Sequence, residues 1–170
     1  MMIFFNKYKK EHQRLLKWQN IVFPNKYEKL SMNKSQLQQI SNQQASDDLR
    51  IIQDCIKLIN TTTNPSVFFE RLDLLKEKSE HLKLLEPYIE FTGASPSKAY
   101  EEILNQEQES IYNLISRCYC AAFDKAEKLK TEKGKKNQFQ KFYNSLLPYT
   151  DKMNEHNLNY LHYKIRNILQ

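Results

Sequence analysis

Two glycines in 170 residues, Gly93 and Gly134, constrain this chain more than any other feature. Glycine and proline are the residues that most reliably end helices. Between the two glycines there is one proline, Pro96, close to the first of them. The intervening stretch therefore reads as one uninterrupted helix over 96–134, which at 1.5 Å per residue is roughly 55 Å long. Ser95 and Pro96 start it, because a proline at the first helical position wastes no amide donor, and Gly134 ends it as a left-handed C-terminal cap. Leu104, Ile111, Ile115, Cys118, Ala122 and Leu129 form its apolar stripe. The fold class is all-α: an elongated antiparallel helical bundle of about six helices with one long central helix.

The other segments follow from period-3.6 patterning and capping signals, with no convincing alternating strand. A first helix spans 3–19 and stops at Phe23, Pro24 and Asn25. A second runs from 31–35 to 60 with a seam of Leu49, Ile52, Ile56 and Ile59, whereas 38–46 is so polar that it reads as a fraying or partner-dependent half. Asn64 and Pro65 start a third, with Phe68, Leu72, Leu75 and Leu82 facing the core and Pro87 ending it. A short fifth helix carries Phe139, Phe142, Tyr143 and Leu146, and a sixth carries Leu158, Leu161, Ile165 and Ile168. One domain over 1–170 is expected, with a basic amphipathic helix in 1–30, the long-helix core in 31–134 and a C-terminal helical pair in 135–170. At 40% hydrophobic residues the chain has enough apolar surface to build a core without disulfides or metal.

The net charge of +6 is unevenly spread. Residues 1–30 hold seven basic and two acidic side chains, 31–124 hold nine and fourteen, and 125–170 hold ten and four. Basic ends around an acidic middle fit either an anionic partner or self-compensation within the fold. The candidate macromolecule-binding surface joins two stretches, if folding brings the basic ends together: the polar side of the first helix, with Lys10, Arg14 and Lys17, and the region 125–141, with Lys128, Lys130, Lys133, Lys135, Lys136 and Lys141. The expected partner is a protein or a second copy of the chain, which would use an exposed apolar seam around Leu37 and Ile40 or along the sixth helix; nucleic acid is the alternative. A membrane span is excluded, since the apolar start 1–5 is followed at once by Asn6, Lys7, Lys9 and Lys10. Membrane-surface binding is the weaker use of the first helix, and a cytoplasmic location is expected.

No catalytic constellation, cofactor motif or metal site stands out, so the chain reads as a binding protein rather than an enzyme. Glu70, Asp73, Glu77 and Glu80 fall within about 80° on the third helix, a spacing that Mg²⁺-dependent all-α hydrolases use. They lie opposite the core residues, however, which makes a solvated ridge the simpler reading. His81 stands four residues after Glu77, and His12 is expected on the apolar side of the first helix. Cys55, Cys118 and Cys120 have no framework spacing and are expected to be free, buried thiols. No helix-turn-helix spacing is convincing.

The runs NTTTNPSVFFERLDLL at 60–75 and KLKTEKGKKN at 128–137 resemble segments of an uncharacterised family of helical proteins encoded in bacterial prophages and other mobile elements. The resemblance implies a genomic setting and brings no functional residue with it.

Overall fold

A computed structural model describes residues 2–24, 34–89, 101 and 104–169, with the side chains of 2–9, 167 and 169 outside the description. The described residues form six α-helices: α1 (Met2–Val22), α2 (Lys34–Thr61), α3 (Pro65–Leu85), α4 (Glu107–Glu127), α5 (Glu132–Leu146) and α6 (Glu155–Leu169). Short 3-10 helices at Glu86–Tyr88 and Leu147–Lys152 follow α3 and α5. No strand occurs among the described residues, and the all-α helical class expected from the sequence is the class observed. The chain divides into two compact units, Met1–Gln53 with Leu75–Glu101, and Asp54–Leu74 with Glu102–Gln170.

In the first unit, α1 anchors itself by Trp18 and Val22, which are buried with Leu37, Ala45 and Ile52 of α2 and Leu75, Leu82 and Leu85 of α3. The polar half of α2 is helical, and several of its polar groups have partners inside this unit. The Trp18 indole N–H donates to Ser41 Oγ at 2.8 Å, and the Ser41 hydroxyl donates to the Leu37 carbonyl at 2.7 Å. Gln44 donates to the Val22 carbonyl at the end of α1, and Gln38 to the Tyr88 carbonyl. A small hydroxyl and flexible amides are what this packing needs: Ser41 leaves room for the indole, and the amides satisfy carbonyls that a helix end leaves open.

The second unit starts from the predicted cap, where Asn64 Oδ1 accepts from the Ser66 amide at 3.0 Å with Pro65 next to it. Phe68, Phe69 and Leu72 of α3 are buried, as are Ile111, Leu114 and Ile115 of α4, Phe139, Phe142 and Leu146 of α5, and Leu161 of α6. The Arg117 guanidinium of α4 donates to the Ile59 and Thr62 carbonyls at the C-terminal end of α2, where the helix dipole also favours a cation. Gln108 holds the turn before α6: it donates to the Lys152 carbonyl and accepts from the Asn154 amide and the buried Asn157 side chain. Asn154 Oδ1 in turn accepts from the Asn157 amide, capping α6.

The long helix over 96–134 is corrected. Its expected start lies outside the described residues, and α4 ends at Glu127. Thr131 then caps a new helix, its hydroxyl oxygen accepting from the Gly134 amide at 3.1 Å, with Glu132 in the first turn where a carboxylate suits the dipole. Gly134 is thus inside the first turn of α5 rather than a terminator. A Cβ there would sit 2.9 Å from Thr131 Oγ1, so glycine makes room for the cap. His12 is also corrected: it is exposed rather than packed.

Candidate functional site

The candidate cations fall into the two units, and each group is described on its own. In the first unit Lys10, Arg14 and Lys17 are exposed along α1. Arg14 stands 6.0 Å from the centre of the Tyr88 ring, whose face stacks on Trp18 at 4.9 Å. Together with Glu11, Lys34 and Gln38 these residues line a cleft of about 300 Å³.

In the second unit the region 125–141 spans the end of α4, the connection 128–131 and most of α5. Lys125, Lys128, Lys130, Lys133, Lys136 and Lys141 are exposed. None of these six has a carboxylate at ion-pair distance among the described residues. Lys135 is the exception: it is half-buried and pairs with Glu132 at 2.8 Å. The Lys135 hydrogen bond and charge hold the Glu132 carboxyl below its ordinary range.

Helical geometry orders this surface. With 100° per residue, Lys133, Lys136, Asn137, Gln140, Lys141 and Asn144 share an arc of about 140° on α5, opposite the buried Phe139, Phe142 and Leu146. No carboxylate lies in that arc. On one flank α5 borders a groove of about 200 Å³ against α4, with buried Cys118, Ala122 and Phe142 lining it and the exposed Lys125 and Lys141 contributed by the two helices. Gln138 and Ser145 of α5 and Thr63 add polar groups. Asn137, Gln140 and Asn144 are functional candidates that composition alone does not reveal. They emerge as the face opposite Phe139, Phe142 and Leu146 once the wheel of α5 is drawn.

Other candidates are resolved differently. Glu70, Asp73, Glu77 and Glu80 are all exposed, as a solvated ridge requires. Glu70 accepts from the Ser66 hydroxyl, Asp73 pairs with Lys152 at 2.7 Å and Glu77 with Lys78 at 3.0 Å. His81 joins the buried Asp48 at 2.5 Å rather than Glu77. Among the described residues no group of three His, Cys, Asp or Glu is placed to hold a metal ion. The thiols are free: Cys55 and Cys118 are buried as expected, Cys120 is corrected to exposed, and burial pushes the Cys118 thiol up to about 11. Cys118 is therefore protonated near neutral pH and donates to the Thr63 carbonyl. The apolar seam expected around Leu37 and Ile40 is not a free surface, since Leu37 is fully buried and Ile40 half-buried. On α6, Leu161 and Ile165 are buried, Leu158 and Ile168 half-buried, and Tyr163 is exposed. No helix among the described residues is long and apolar enough to cross a membrane. No protein-family model matches the chain, and no curated protein or solved structure does.

Proposed function

We propose that this protein is a macromolecule-binding accessory protein whose partner is a nucleic acid, held at the surface made by α5 and the end of α4. The observation that carries the reading is the outer face of α5, which combines lysines and amides with no carboxylate and is preceded in the chain by the exposed Lys125, Lys128 and Lys130. Exposed ammonium groups with no carboxylate at ion-pair distance gain when an anion neutralises them. A phosphate backbone does so and releases its counterions. Burial of Leu37, Leu161 and Ile165 narrows the seams on which a protein partner was expected, leaving Tyr163 of α6 as their exposed large side chain, and the lysine-rich face of α5 favours the polyanion.

The protein acts by binding, without a catalytic step. A cytoplasmic setting fits the free thiols, and an origin in a mobile element fits the resemblance of 60–75 and 128–137. Fluorescence anisotropy with labelled DNA and RNA at about 50 and 200 mM salt tests the proposal: binding should weaken steeply with salt. A variant carrying Lys133→Glu, Lys135→Glu and Lys136→Glu should lose most of that binding, and unchanged affinity with unchanged salt dependence contradicts the proposal.

A further inference from the structure

The geometry of α5 points to one class of nucleic acid: we propose that the helix lies in the major groove of double-stranded DNA and that Asn137, Gln140 and Asn144 read base edges there. The inference rests on the nucleic-acid reading above. On the wheel the three amides cluster within about 60° at the middle of the exposed face, with Lys133 in the same sector one turn nearer the N-terminus, while Lys136 and Lys141 stand about 60° to 80° to either side. A helix in a groove needs this order, with hydrogen-bonding groups toward the bases and cations toward the two phosphate walls. Lys125, across the flanking groove from Lys141, adds a cation on one of those sides.

Dimensions select the duplex. An α-helix with its side chains is about 10–12 Å across, close to the B-DNA major groove, whereas the major groove of A-form RNA is too narrow for side chains to read. The chemistry selects the base. An Asn or Gln amide presents a donor and an acceptor that match the N6 amino group and N7 of adenine. Gln140 donates to Asn144 Oδ1 at 2.8 Å, which couples two of the three amides while leaving the Gln140 oxygen and the Asn144 amide hydrogens for bases.

The test selects sites for the full-length protein from a randomised pool of duplex DNA, then measures the enriched duplex by anisotropy beside a scrambled duplex, its separate strands and an RNA duplex of the same sequence. The enriched site should contain adenine. DNA duplex should be bound at least about tenfold more tightly than the RNA duplex or either strand, and replacing the adenine should cost about tenfold. Gln140→Ala with Asn144→Ala should abolish that tenfold preference while leaving the salt slope unchanged, with the far-UV circular dichroism spectrum confirming that the variant folds. RNA or single strands bound as tightly as duplex DNA, or a preference that survives in the amide variant, overturns the inference and leaves the nucleic-acid reading standing. Failure to bind any of these probes overturns both.

Discussion

At Gly134 two small effects oppose each other. Replacing a helical glycine with alanine gains about 0.5–1 kcal/mol, but the new Cβ would meet Thr131 Oγ1 at 2.9 Å and displace a cap worth about 1 kcal/mol. Gly134→Ala is expected to be nearly neutral, Thr131→Ala to cost about 1 kcal/mol, and Gly134→Ala to become stabilising by up to about 1 kcal/mol once Thr131 is alanine. Urea denaturation of the four proteins checks this cycle. The thiols give a second residue-scale expectation. A thiol reagent should modify Cys120 in the native protein and reach Cys55 and Cys118 only on unfolding. The Cys118 thiol rises from its ordinary 9.0 to about 11 because it is buried, so the folded state prefers it protonated. Its contribution is complete below the unfolded value and is lost as pH climbs through about 11. Stability should fall over that window in the parent protein more than in Cys118→Ala.

Whole elements were legible in the sequence wherever local chemistry decides them. Asn64 and Pro65 mark the start of α3, and Phe68, Leu72, Leu75 and Leu82 all proved buried, because capping and period-3.6 burial are properties of neighbouring residues. The polar half of α2 was misread because its partners are distant in the chain: the Trp18 indole, the Val22 carbonyl and the Tyr88 carbonyl cannot be inferred from a local window. The break between α4 and α5 was misread because Gly134 as a terminator and Thr131 as a cap compete for the same residues. The amide row of the candidate site was passed over because uncharged amides carry no compositional signal, whereas the lysines around it stood out by charge alone. Arg117 tests an element-level contact. Arg117→Ala leaves the Ile59 and Thr62 carbonyls without their donor and should cost about 2 kcal/mol. Trp18→Ala removes both the indole bond to Ser41 and the stack on Tyr88, for about 3–5 kcal/mol. Chemical denaturation measures both.

For the molecule as a whole, the net charge of +6 is a poor guide, because cations occur in both units and in different company. Arg14 has the Tyr88 ring within 6.0 Å and Glu11 lines the same cleft, whereas the exposed α5 lysines face outward with no acid in their arc. The proposed polyanion site is therefore assigned to α5 and the end of α4 rather than to α1. The most direct measurement is the slope of log affinity against log salt for a DNA duplex, comparing the parent with two triple variants. Lys133→Gln with Lys136→Gln and Lys141→Gln should make the slope shallower by about 2–3, near 0.9 for each phosphate no longer neutralised. Lys10→Gln with Arg14→Gln and Lys17→Gln should change it by less than about one. Equal effects of the two triples, or a parent slope near zero, would contradict the assignment.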